Sequence, residues 1–187
     1  GQVIIDVVKC SGPELAKFDN RRLNLELVKQ ELAEAVLFGP KNPKESEQVL
    51  NISDCVWGKS LVLQRGFYRP LTNTHVDVLQ KGTEQLKRDL ATKKKPAPET
   101  LSILEINNEF GIDIDDFIHR LEIITGLGFH LLVSNFKYHY EIKRFLRQYT
   151  QAPLAIVISA RHLEDIFAPE KYKNLEGGIH EALGKLL

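Results

Sequence analysis

Ser60-Leu-Val-Leu-Gln-Arg-Gly-Phe-Tyr-Arg-Pro-Leu-Thr-Asn-Thr-His75 joins an apolar run, a turn and the start of a helical pattern. Ser60 to Gln64 reads as a buried strand, because a short apolar run bounded by turn residues fits a strand covered on both faces. Gly66 lets the backbone bend and Pro70 fixes the chain's course. Thr72 and His75 then stand where a helix running to Leu90 begins. The first turn of a helix offers unpaired N–H groups and the positive end of the macrodipole, so this turn favours an anion such as a nucleotide phosphate.

Working outward, apolar runs recur at Val3–Val8, Ala35–Phe38, Leu101–Ile106, Phe129–Val133 and Leu154–Ile158. Helical spacing lies between most of them: Leu23, Leu27, Val28 and Leu32; Phe117, Leu121, Ile124 and Leu127; Ile142, Phe145 and Leu146. This alternation predicts an α/β fold with a mainly parallel sheet and helices on both faces, Rossmann-like, with a barrel-like closure as the alternative. Ser11-Gly-Pro-Glu14 has capping-box spacing and predicts a helix start. Gly39–Ser46 and Thr92–Glu99 are turn-rich and predict surface excursions. The 187 residues suffice for one α/β domain spanning 1–187, and the lack of any methionine reads as a fragment or processed chain.

Charge narrows the partners. Twenty-five basic residues balance 25 acidic ones, so an anion site has to be local and a nucleic-acid footprint is disfavoured. Cys10 and Cys55 form no framework and fit a reducing, cytoplasmic setting. No apolar run reaches the roughly 18 residues of a bilayer span, so a membrane partner is not expected.

In an open parallel sheet, ligands collect beyond the carboxyl ends of the strands. Ser11, Arg65-Gly66, Asn107 to Glu109, Ser134-Asn135 and Ser159 to Arg161 follow the expected strands. Each is a candidate binding group, and each is also the residue type that caps helices and closes turns. Ser159 reads first as the cap of a helix containing Leu163 to Phe167; Arg161 would suit a phosphate if the fold brings it near Thr72 and His75. Asp113, Asp115 and Asp116 read as first-turn helix carboxylates rather than metal ligands. Glu105 and Glu109 are two unpatterned carboxylates near a strand end, within the reach of what Mg²⁺ takes but without a signature. The remaining histidines, His119, His130, His139, His162 and His180, show no ligand spacing. Gly177-Gly178 reads as a phosphate cradle or a tight helix start. Lys93–Lys95 and the basic helix with Tyr138, Tyr140 and Tyr149 serve nucleic acid only if those rings stand outside the core.

Gly66 to His75 resembles the G-x-F-[DN]-P-x-[TH]-x-G-H signature of nucleotidyltransferase-superfamily adenylyltransferases. Its Pro-x-Thr-Asn-x-His form is similar to phosphopantetheine adenylyltransferases, and the chain's Lys9-Cys-Ser-Gly-Pro and Glu176-Gly-Gly-Ile segments look like those of nicotinamide-mononucleotide adenylyltransferases. The resemblance implies a nucleotide-binding α/β domain that transfers an adenylyl group from ATP, with Mg²⁺, to a phosphate-bearing small molecule. It makes Thr72 and His75 the catalytic pair at the ATP phosphates and Gly66 the turn after the strand, and a second superfamily motif, Ile-Ser-Ser/Thr with a basic residue, is faintly echoed in Ile158-Ser159-Ala160-Arg161; Ser11, Arg69, Ser159 and Arg161 are the further candidate binders. Arg69 stands where the signature has an acid or amide, Thr74 where it has glycine, and two apolar runs precede a motif that normally follows the first strand. Two other readings therefore stay open: a phosphorylated-metabolite-binding enzyme of different chemistry, and a catalytically silent regulatory or scaffold domain.

Overall fold

The computed structural model describes residues 5–15, 17–40, 48–92, 98–109 and 111–187, without the side chain of Arg161. Lys93–Lys95 and most of Gly39–Ser46 lie outside the described residues. Among the described residues six strands form one sheet: β1 (Ala35–Phe38), β2 (Val49–Leu50), β3 (Ser60–Arg65), β4 (Thr100–Asn107), β5 (His130–Ser134) and β6 (Leu154–Val157). Their order is β2-β1-β5-β4-β3-β6. β5, β4, β3 and β6 run parallel, while β1 lies antiparallel to β5 and to β2. The sheet is open, with β2 and β6 at its edges, so the barrel-like alternative is not adopted.

Among the described residues seven α-helices accompany these strands: α1 (Asn20–Lys29), α2 (Ile52–Val56), α3 (Asn73–Ala91), α4 (Ile114–Gly126), α5 (His139–Leu146), α6 (Ala160–Ile166) and α7 (Gly178–Leu186). Their starts are written in the sequence. Asp19 accepts from the Arg21 N–H at 2.9 Å, and Asp113 accepts from Asp115 and Asp116 at 3.0 and 3.2 Å. Asp113, Asp115 and Asp116 are thus helix-start carboxylates, held where the macrodipole favours them.

Two cores sandwich the sheet. On one face Leu25 and Val28 of α1, Leu79 of α3 and Phe117, Leu121 and Ile124 of α4 meet Val62, Leu104 and Val133. On the other, Ile52 and Val56 of α2 and Ile142, Phe145 and Leu146 of α5 meet Leu61, Leu63, Ile103 and Leu132. Alternate residues of β3 serve opposite faces, as the period of two requires. Stepping from β3 to β4 to β5 places α3 and α4 on the first face; stepping back past β3 to β6 places α5 on the second. All three crossovers therefore share one hand.

The expected strand Val3–Val8 is not formed over residues 5–8. The Ile5 N–H goes to the Leu32 carbonyl at 3.2 Å, and the backbone further along is held by α1. Asn24 accepts from the Val8 N–H at 3.0 Å and donates to its carbonyl at 2.6 Å, and Asn20 does the same for Cys10 at 2.7 and 3.1 Å. Ser11-Gly-Pro-Glu14 starts no helix either: Leu15 and Phe18 close turns onto Gly12 and Leu15, and the helix waits for Asp19.

Candidate functional site

The parallel strands read β5-β4-β3-β6, so the chain moves from β3 in one direction to β4 and later returns to β3's other side. Such a reversal leaves a crevice outside the carboxyl ends of the two strands flanking it. Here those strands are β3 and β6. Gln64 lies opposite Val157, so Gly66 and Ser159 each leave the sheet two residues beyond the last pair. The structure thereby brings together the Gly66–His75 turn and the start of α6.

The turn is held from within. Tyr68 is buried, has φ of 49°, and donates its hydroxyl to the Gln64 carbonyl at 2.6 Å. Burial pushes its phenol well above the ordinary tyrosine range, with the nearby Glu105 charge adding to the effect. The ring lies over Gly66, where a Cβ would come within 2.8 Å of it. Glycine at 66 is therefore a demand of packing as well as of bending. Arg69 reaches across to α4 and meets Asp116 at 2.6 Å, while Arg120 binds the same carboxylate and donates to the Phe67 carbonyl at 2.9 Å. Burial opposes ionisation of Asp116, but the two guanidiniums hold its carboxyl below the usual range.

Thr72 caps α3, with the His75 ring packed edge-on against Tyr68 at 5.2 Å between centroids. His75 Nδ1 accepts from the Thr72 N–H at 3.1 Å and lies 2.9 Å from the Thr72 hydroxyl. The two expected catalytic residues do come together, but as a reciprocal helix cap. The N–H groups of Asn73 and Thr74 lie in the same first turn, beyond the reach of any intrahelical carbonyl. No acidic residue occupies that turn.

Beneath the turn sits a group that pattern reading left unassigned. Arg65 Nε and Nη2 bind Glu105 at 2.6 and 2.9 Å, Ser134 donates to Glu105 Oε1 at 2.5 Å, and Arg65 also donates to the carbonyls of Phe136 and Lys137 at 2.8 and 2.9 Å. The Glu105 side chain is 0% exposed and that of Arg65 10%. Glu105 is spent on this pair and is not free to hold Mg²⁺. Among the described residues no group of three or more His, Cys, Asp or Glu is placed to hold a metal ion. The sequence shows only a basic residue ending one apolar run and an acidic one inside the next; their facing register comes from the sheet.

On the other side of the crevice Ser159 caps α6, accepting from the His162 N–H at 3.3 Å. Arg161 lies in the first turn of that helix, and its side chain is outside the described residues. Ser11 does not join this edge. It is exposed and follows the segment clasped by Asn20 and Asn24, because the strand that would have delivered it to a sheet edge is not formed. Gly177-Gly178 makes a tight helix start, with the Gly177 N–H bound to Glu181 at 3.0 Å and Gly178 at φ of 54°. Tyr138 and Tyr140 are buried with Tyr172, and Tyr149 packs on Phe145, so these rings form no open stacking platform. No described helix is long and apolar enough to cross a membrane. Comparison with known proteins finds no family model, no curated relative and no solved structure that matches the chain.

Proposed function

We propose that the crevice between β3 and β6 binds the phosphates of a nucleotide, making the chain a Rossmann-like nucleotide-binding domain. The observation that carries this reading is that α3 and α6 both start at the strand reversal, and neither has an acidic residue in its first turn. An anion there would meet two sets of first-turn N–H groups and two positive dipole ends. By contrast, α4 carries three carboxylates at its start and repels such a ligand.

ATP is the ligand, and the reaction best suited to the arrangement is adenylyl transfer. A phosphate oxygen of the second substrate attacks the α-phosphorus, the bond to the β-phosphate oxygen breaks, and pyrophosphate leaves. Such chemistry needs positioning and charge neutralisation more than covalent help, so backbone donors with Thr72 and His75 suffice on the protein side. Mg²⁺ arriving with ATP neutralises the phosphates; it ordinarily keeps several waters and few protein ligands. A second reading, binding without turnover, is favoured by the Thr72–His75 cap, which occupies the polar atoms that catalysis would use.

Thr74→Glu tests the phosphate site that both readings share. A carboxylate in the first turn of α3 supports the helix, so thermal stability should hold or rise, while phosphate binding is lost. Calorimetric titration with ATP and Mg²⁺ should show binding by the parent and none by the variant. Absence of binding by the parent refutes the nucleotide reading. Pyrophosphate release with nicotinamide mononucleotide or phosphopantetheine then separates an enzyme from a binder.

A further inference from the structure

β6 is an edge strand, and on the α5 side of the sheet its Leu154 and Ile156, with Ile158 just beyond it, are only half covered. With Ile166 of α6 they border a cavity of about 290 Å³. That is close to the low end of volumes that hold small ligands. The polar side chains bordering it all come from α5 or the residue after it: His139, Lys143 and Arg147, with no carboxylate side chain among the lining residues.

Their hydrogen-bonding capacity is largely unspent. The Lys143 side chain makes no ion pair or hydrogen bond among the described residues. Arg147 uses Nη1 on the carbonyls of Thr150 and Ala152 at 3.4 and 2.6 Å, leaving its other nitrogens uncommitted among the described residues. Nε2 of His139 is sealed from solvent without a partner. Two cations beside six aliphatic side chains, Leu154, Ile156, Ile158, Ile166, Leu186 and Leu187, match one chemistry: a compact apolar body carrying one negative charge.

We infer that this cavity binds a small amphipathic monocarboxylate, its head at Lys143 and Arg147 and its body against Leu154, Ile156, Ile158 and Ile166. A guanidinium presents parallel donors that fit a carboxylate's two oxygens. A dianionic phosphate fits less well, because Lys143 and Arg147 stand at the carboxyl end of α5, where the dipole opposes concentrated negative charge. The site lies on the opposite face of β6 from α3 and does not depend on nucleotide binding at the crevice.

Octanoate and its neutral analogue octanamide, titrated separately into the full chain by calorimetry, test the assignment. Octanoate should bind saturably at one site, with octanamide about tenfold weaker. Lys143→Gln, on an exposed-to-half-buried helix position that tolerates glutamine, should weaken octanoate about tenfold and leave octanamide unchanged. Ile158→Trp, which fills the apolar end, should abolish binding of both, with circular dichroism verifying the fold. Equal affinities for the two probes, no binding of octanoate to the parent, or indifference to Lys143→Gln would overturn it.

Discussion

The Arg65–Glu105 pair offers the sharpest test of the geometry beneath the crevice. Glu105→Gln keeps the volume and removes the charge. The amide then faces Arg65 with one oxygen where the carboxylate had two, so Nε keeps an acceptor while Nη2 meets an NH₂ group. Ser134 can turn its hydroxyl to accept, which softens the change slightly. The larger effect is a guanidinium only 10% exposed that has lost its counter-charge. Breaking a buried pair from one side costs about 3–5 kcal/mol. Against a total stability of about 5–15 kcal/mol that is a large fraction, visible as a lowered urea midpoint at unchanged slope. Arg65→Met should cost a similar amount, because Glu105 is then fully buried without its guanidinium partner and bound only by Ser134.

Removing both partners is different. In Arg65→Met/Glu105→Leu no uncompensated charge remains, and the residual cost is chiefly that of the buried Ser134 hydroxyl, about 1–3 kcal/mol, with a smaller part from the half-buried Phe136 carbonyl, the exposed Lys137 carbonyl passing to water. The double variant should therefore be more stable than either single one, a strongly non-additive cycle. Urea unfolding of the four proteins, followed by far-ultraviolet circular dichroism, reads the cycle directly. Single-variant losses below about 1 kcal/mol, or additive losses in the double variant, refute the description of this pair as buried and mutually dependent.

Two further substitutions probe the elements on either side of the crevice. Gly82→Ala in α3 should gain about 1 kcal/mol in helix propensity but place its Cβ 2.4 Å from Val157 Cγ2, so overpacking of about 1–3 kcal/mol wins and the protein is destabilised. In a Val157→Ala background the sign should reverse, and thermal denaturation of the four proteins checks it. For His139, burial and the nearby Arg65 and His162 charges lower its pKa to about 4. The unfolded chain binds this proton near pH 6.5 while the folded chain refuses it, so stability is lost as pH falls from about 6.5 to about 4, by up to about 3 kcal/mol. His139→Gln should remove that part of the acid loss, as read from urea midpoints at pH 7 and pH 4.5; an unchanged difference between the two pH values refutes the assignment.

The central architecture was legible because its signals are local. Ala35–Phe38, Ser60–Arg65 and Leu101–Ile106 are short apolar runs that each need cover on both faces, and Asp113 and Thr72 mark helix starts by chemistry that acts within one turn. What failed was non-local. Val3–Val8 has the composition of a strand, but nothing in its own residues reveals that Asn20 and Asn24, on a helix further along, offer its backbone better partners than a strand edge. The β2–α2 excursion was missed because two residues of strand and five of helix are too short for periodicity to register. Pairing of Arg65 with Glu105 depends on register between strands separated by the whole of α3, which no sequence window contains.

The same distinction bears on the turn that first suggested a function. Thr72 and His75 satisfy each other, so their types and spacing are accounted for by helix capping alone. What capping does not require is the strand order that places this helix start beside that of α6, or the absence of acidic residues from both first turns. Asp115 and Asp116 stabilise that position in α4, and omitting such acids forgoes about 0.3–1 kcal/mol per helix. The case for a phosphate site thus rests on backbone groups and dipoles rather than on the two side chains. It follows that His75→Ala should weaken α3 more than it weakens ATP binding, whereas Thr74→Glu should do the reverse. A His75→Ala protein that unfolds no earlier but loses all nucleotide affinity would return the imidazole to the centre of the chemistry.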